Sequence, residues 1–361
     1  MEAAYRMDLR SIILAAMLPA LAASSHAHSN IILGATNIPR EKFIVYLMIG
    51  NSQMAGRDYL RLDSATSPRA WNYHWMSDKK WVPAKEIPGS MANGLSGRGC
   101  GGGGMPLLKH LVAQYPDYYF GAIDNASLSA TVKGSYDNNT SGMPGDDNRY
   151  IKGSQLYLEI TTAAKEVKKD AILGGIFCQL GLVEAARGNG DICRAFSDDV
   201  TQMVKDMRAD IGEPNLPFIM GKYEAGATGV FAQSYPLPKI IADQILLIPG
   251  KLPFSALVES QGLEMLDDHH YVTGPTGQGE WARRAMEVIK ANNFFPSPQA
   301  AITPFAGKSK PRDVAGRGAS LFLSRQGLAV LPWDGRQVFL IDGKAIGSGL
   351  PGIGIPESGK P

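Results

Sequence analysis

A chain of 361 residues with 44% hydrophobic and 19% charged residues has material for one large or two ordinary globular domains, and is neither disordered nor fibrous in composition. Its formal net charge of +2 comes from dispersed Lys, Arg, Asp and Glu, without the concentrated basic patch that a nucleic-acid or anionic-membrane partner requires. Only Cys100, Cys178 and Cys193 are present, so at most one internal bridge can form, by any of the three pairings, and none has Cys-x-x-Cys metal spacing.

Residues 1–28 have the pattern of a secretory signal peptide: Arg6 and Arg10 precede the apolar run from Ile12 to Ala22, and small residues follow around Ala22 to Ala27. The run is too short to span a bilayer, and no later stretch reaches ~18 uninterrupted apolar residues. The expectation is an exported protein, secreted or periplasmic, without stable membrane insertion once the signal is cleaved.

Phe43 to Ile49 is short, apolar and rich in β-branched and aromatic residues, and reads as a fully buried strand. It stops at Gly50-Asn51-Ser52-Gln53. Gly50 permits a tight turn, and Ser52 falls at the carboxyl end of the strand, the edge where open α/β sheets bind ligands. Its hydroxyl is a candidate nucleophile, although Gly-Asn-Ser is also an ordinary strand-to-helix turn with a capping side chain.

Ser64 to Met91 reads as irregular, with Trp71, Trp75 and Trp81 available either to pack on the domain or to stack on sugar rings. The glycine-rich run from Gly97 to Gly104 lacks the Gly-Lys-Ser/Thr ending of a phosphate loop and reads as a mobile connection to a helix over Met105 to Gln114. A second strand, Tyr118 to Ile123, ends in the polar stretch Asp124 to Thr131. Asp137 to Arg149 is a loop without apolar period. A helix over Tyr157 to Lys169 precedes a third strand, Ala171 to Gln179, in which Cys178 is expected to be a buried thiol. Phe196, Val200, Met203, Val204 and Met207 mark an amphipathic helix over Asp191 to Ile211. Strands follow at Leu216 to Met220 and Gln244 to Ile248, and Trp281 to Asn292 closes the domain as a helix.

The alternation predicts a three-layer α/β/α sandwich around a mostly parallel five-stranded sheet. Residues 29–295 form that domain. Residues 296–361 form a Pro/Gly-rich linker and a tail with short strands at Ala319 to Leu323, Leu328 to Leu331 and Gln337 to Ile341; this tail is either a small β appendage or partly disordered, above all from Gly347 to Pro361.

A serine hydroxyl attacks efficiently only when a neighbouring base takes its proton and a third group holds the base. Leu266-Asp267-Asp268-His269-His270-Tyr271 supplies both in one short loop, because the Asp-x-x-His spacing lets Asp267 face the His270 ring and leaves its other nitrogen open. The same four polar residues also suit a divalent metal site, or a solvated loop with no role.

Taken together, Gly50-Asn51-Ser52-Gln53-Met54-Ala55-Gly56-Arg57 resembles the Gly-Gln-Ser-Asn-Met-Ala-Gly-Arg block of the SGNH hydrolase superfamily, specifically its sialate O-acetylesterase-like carbohydrate esterases. Asp267-x-x-His270 resembles the closing block of that family, and Gly174 to Gln179 the strand leading to its Gln-Gly-Glu block; the similarity runs from about residue 43 to 292. It implies a carbohydrate acetylesterase with Ser52, His270 and Asp267 as triad, with Gln53, Ser129 and Gln179 at the oxyanion hole or substrate, an acetylated carbohydrate as partner, and no metal or organic cofactor. Three departures stand out. Asn51 and Gln53 are exchanged, Leu128-Ser129-Ala130 stands where the family has Gly-Gly-Thr, and Gln179-Leu180-Gly181 replaces Gln-Gly-Glu, with Glu184 three residues beyond. These departures motivate an alternative, a carbohydrate-binding or assembly protein with reduced or no catalysis. A lipase is the third reading, and Ser64 to Gly104 is too polar and Gly-rich to form its lid. Oligomeric state, the polysaccharide and the acetyl position are left open.

Overall fold

The computed structural model describes residues 30–56, 66–75, 78–85, 103–133, 148–187, 190–222, 237–267 and 270–296, and the backbone of four short strands between 322 and 346. The amino-terminal signal pattern, Cys100, most of the Gly97 to Gly104 run, Asp268, His269 and residues 347–361 lie outside the described residues. The chain divides into two compact units, Met1–Ile302 and Thr303–Pro361.

The first unit opens with an antiparallel hairpin, β1 (Asn30–Leu33) and β2 (Thr36–Pro39), which buries Leu33 and Ile38. The following elements are β3 (Phe43–Gly50), α1 (Ser52–Ala55), β4 (Ala70–Tyr73), β5 (Trp81–Pro83), α2 (Gly104–Gln114), β6 (Tyr119–Asp124), α3 (Gln155–Val167) and β7 (Ile172–Gln179). Next come α4 (Leu182–Arg187), α5 (Gly190–Ile211), β8 (Phe218–Gly221), α6 (Leu237–Lys251), β9 (Ser255–Val258) and α7 (Gln278–Ala291). The expected sandwich is present, around a sheet of seven strands in the order β5-β4-β6-β3-β7-β8-β9, parallel except for the edge strand β5.

Every residue of β3 is buried, because helices cover both faces of the sheet. Val45, Leu47 and Ile49 pack with α3, α5 and α6, whereas Ile44, Tyr46 and Met48 pack with α2 and α7. This alternation is the period of two of a strand, with each set entering a different core. Arg208 locks the far side: its guanidinium donates to the carbonyls of Leu216, Pro253 and Phe254, and burial pulls its pKa down to about 10.

Two sequence expectations change here. Gln244 to Ile248 is helix within α6, not strand, because Ile241, Ile245 and Ile248 recur on one buried face while Leu246 and Leu247 stay exposed. The fifth core strand is instead β9, with the alternating burial of an edge strand. The irregular stretch around the tryptophans contributes β4 and β5. Trp71 is buried there, and Trp81 sets its ring edge-to-face on Phe43 with centroids 4.7 Å apart. Gly121 makes room for it, since a Cβ at that position would lie 2.6 Å from the Trp81 ring. The sequence signal failed because these strands span only four and three residues, too few to display a period.

The second unit contains a four-stranded antiparallel sheet, β10 (Phe322–Leu323), β11 (Ala329–Trp333), β12 (Arg336–Ile341) and β13 (Lys344–Ile346).

Candidate active site

The chain leaves β3 for β4 and β6 on one side and later returns to place β7, β8 and β9 on the other, so the carboxyl end of β3 is the topological switch point of the sheet. Gly50 ends that strand with its backbone pressed against β7: a Cβ there would meet Gln179 O at 2.6 Å and Met54 Cβ at 2.7 Å. The chain then turns through Asn51, whose N–H donates to Gln179 O (3.0 Å) and whose side-chain oxygen caps α1 by accepting from Gln53 N (3.0 Å). Ser52 is therefore the first residue of α1, half-buried at the sheet edge.

On the other flank, Ser127 N donates to Gly50 O (2.9 Å), and the Tyr150 hydroxyl accepts from Gly50 N (3.1 Å) while donating to Asn125 O (2.5 Å). The turn is thus held from both neighbouring strands.

His270 arrives on a loop between β9 and α7. Leu266 N donates to His270 O and Val272 N to Glu264 O, closing a short excursion. Within it, Asp267 takes two bonds from the same residue: Oδ1 accepts from His270 N at 2.7 Å, and Oδ2 lies 2.8 Å from His270 Nδ1. A carboxylate only accepts, so Nδ1 carries the proton and Nε2 presents a lone pair. That nitrogen lies 2.8 Å from Ser52 Oγ. His270 is buried, whereas the Asp267 side chain keeps 42% exposure. Ser52, His270 and Asp267 thus form one continuous hydrogen-bonded chain across 218 residues of sequence.

The remaining expected site residues divide by contact. Gln53 is buried, and its side-chain oxygen accepts from Tyr271 N (3.3 Å), tying α1 to the His270 loop. Its backbone oxygen accepts from Gln278 Nε2 (2.7 Å). Gln179, at the end of β7, donates from Nε2 to Gln278 Oε1 (3.4 Å) and is buried. Ser129 has a left-handed backbone (φ 60°) in the loop after β6, a loop that is tied to the nucleophile turn by the bond from Ser127 N to Gly50 O. The exchanged residues now have distinct work: the short Asn51 caps the helix, and the longer Gln53 reaches the histidine loop.

Sequence reasoning overlooked Gln278, buried and joining Gln179 to Gln53, and Tyr150, which clamps the nucleophile turn. A glutamine that opens a helix and a tyrosine in a loop carry no local periodic mark, so neither was visible. Glu184 also gains a place. It is fully buried at the start of α4, and its Oε1 accepts from Val132 N (2.8 Å), holding the Ser129 loop from below. Loss of solvent pushes its carboxyl up to about 7. Cys178 and Cys193 are both buried free thiols, with pKa values raised by burial, so the bridge between them is absent. Among the described residues no group of three or more His, Cys, Asp and Glu is arranged to hold a metal ion.

The fold has counterparts among solved structures. The chain resembles NanS, at 14% identity and a TM-score of 0.52, over 70% of this chain and 98% of that one. It is also similar to a carbohydrate acetylesterase from Xanthomonas citri (14% identity, TM-score 0.49, 82% and 63% coverage) and to a protein from Arabidopsis thaliana (14%, 0.49, 69% and 97%). No curated protein matches significantly in sequence. The model of the family described as carbohydrate esterase, sialic acid-specific acetylesterase, matches residues 42–286. With two thirds of its length matched by that model, the chain belongs to this family of carbohydrate esterases.

Proposed function

We propose that this esterase is an exported serine enzyme that removes O-acetyl groups from a carbohydrate. The observation that carries the reading is the Ser52–His270–Asp267 chain, with 2.8 Å at each link, at the switch point of the sheet. Ser52 Oγ attacks the ester carbonyl while His270 Nε2 takes its proton; His270 then delivers that proton to the departing sugar oxygen, and Asp267 holds the ring and stabilises the imidazolium. Water repeats the sequence on the acetyl-enzyme and releases acetate.

The oxyanion of each tetrahedral intermediate would be met by the Ser52 N–H, which as the first helical N–H has no intrahelical acceptor, by a backbone donor near Ser129, and by the Gln179 amide. Each well-placed donor supplies roughly 3 kcal/mol to the transition state. Gln179 uses one N–H on Gln278 and has a second to offer.

Export is supported by the basic residues, apolar run and small residues of the amino-terminal 28. Cell fractionation with amino-terminal sequencing tests it: a processed chain in the periplasm or medium is expected, and a chain that keeps Met1 and stays in the cytoplasm overturns it. Activity is tested by acetate release from p-nitrophenyl acetate and from acetylated polysaccharides, and by labelling with a serine-directed phosphonate. Wild type turns over and is labelled; Ser52→Ala does neither. Equal rates for the two remove Ser52 as nucleophile, and sugar binding without hydrolysis by wild type favours the non-catalytic alternative.

A further inference from the structure

Apart from the Ser52 chain, an open groove of about 410 Å³ lies against α3, with Trp75, Lys79, Leu158, Glu159, Thr162 and Glu166 in its lining. The Trp75 indole is half-buried, and its N–H donates to Asp124 O at 3.1 Å, which fixes the ring plane. Leu158, 52% exposed, adds apolar surface. Glu159 and Glu166 sit two turns apart on α3, about 10 Å along its axis. Each is held: Glu159 accepts from Gln155 Nε2 (2.8 Å) and Asn125 Nδ2 (3.0 Å), and Glu166 lies 3.3 Å from Lys79 Nζ.

A fixed flat ring beside fixed carboxylates suits a pyranose, whose C–H face is apolar and whose rim carries hydroxyl donors that carboxylate oxygens accept. Two carboxylates against one ammonium leave the lining net negative, which disfavours sialic or uronic acids and admits a neutral ring. Two of its lining residues are bonded to the edge that carries the nucleophile: Trp75 donates to Asp124 O, Glu159 accepts from Asn125 Nδ2, and Asn125 N donates to Met48 O (2.9 Å), two residues before Gly50.

We infer that this groove is a subsite for a neutral sugar ring of the glycan chain whose acetylated ring enters the esterase cleft. The inference rests on the carbohydrate-esterase reading for the identity of that chain, and its test needs no turnover. The Ser52→Ala protein is titrated by calorimetry with deacetylated xylotetraose, cellotetraose and mannotetraose, and with trigalacturonate. At least one neutral tetrasaccharide is expected to bind saturably, with trigalacturonate about tenfold weaker. Trp75→Ala and Thr162→Arg, the latter filling the groove from an exposed position, are each expected to weaken binding about tenfold or more.

Thr162→Arg decides the matter if Trp75→Ala unfolds. No binding by any neutral sugar, wild-type affinity in Thr162→Arg, or trigalacturonate binding as tightly as the neutral sugars overturns the inference. Failure of acetate release by the unmutated protein is a separate result, and overturns the esterase reading alone.

Discussion

Gln53 Oε1 accepts the Tyr271 N–H at 3.3 Å, so the residue after the proposed nucleophile holds the residue after the proposed base. The two segments are far apart in the chain and packed on different elements, and this bond, with the Gln278 bond to Gln53 O, ties them together.

Gln53→Asn is one methylene too short to span that gap, and leaves the buried Tyr271 N–H without its partner at a cost of about 1–3 kcal/mol. We expect kcat on p-nitrophenyl acetate to fall at least tenfold with KM changed less than threefold, since the loss lies in the alignment of base and nucleophile. Steady-state kinetics check this. A rise in KM with kcat intact would instead give Gln53 a substrate-binding role.

Asp267→Asn removes the acceptor that keeps the Nδ1 proton on His270. The imidazole is then free to present its N–H to Ser52, and kcat is expected to drop by about three to four orders of magnitude. Because the Asp267 side chain is substantially exposed, the thermal midpoint should move little. Paired kinetics and thermal unfolding measure both halves of the statement.

Gly50→Ala places a methyl 2.6 Å from Gln179 O and 2.7 Å from Met54 Cβ, between backbone and a packed core side chain. Relief requires the Asn51-Ser52 turn to shift. A destabilisation of about 2–3 kcal/mol is expected in urea unfolding, with a larger proportional loss of phosphonate labelling than of folded protein.

Glu184 couples stability to pH. Its carboxyl is raised from 4.5 to about 7 in the folded chain, so between those values the folded state binds more protons than the unfolded one. Its contribution is greatest below about pH 4.5 and declines as pH rises toward 7, by up to about 3 kcal/mol. Glu184→Gln keeps an acceptor for Val132 N and cannot ionise, so the difference in unfolding free energy between variant and wild type should grow in favour of the variant across that window. Urea titrations at pH 5 and pH 7.5 test it, and a constant difference refutes it.

The parallel core of this fold was legible because β3, β6 and β7 are long buried runs, and α3, α5 and α7 show helical repeats wherever one face meets the sheet. The same logic failed over Gln244 to Ile248, where four consecutive apolar residues hid a helical face that only the packing of Ile241 and Ile245 reveals. At the site, Gly50-Asn51-Ser52 and Asp267-x-x-His270 could be picked out locally, since a tight turn and a short carboxylate-imidazole spacing are properties of neighbouring residues. Which side chains join those two segments was not local information. The Gln53–Tyr271, Gln278–Gln53 and Glu184–Val132 bonds link residues 218, 225 and 52 positions apart. Sequence alone therefore picked out the candidate reacting groups and the sheet edge that carries them. Only the tertiary structure decided their 2.8 Å contact, because it depends on how β3, β7 and α7 pack around one strand end.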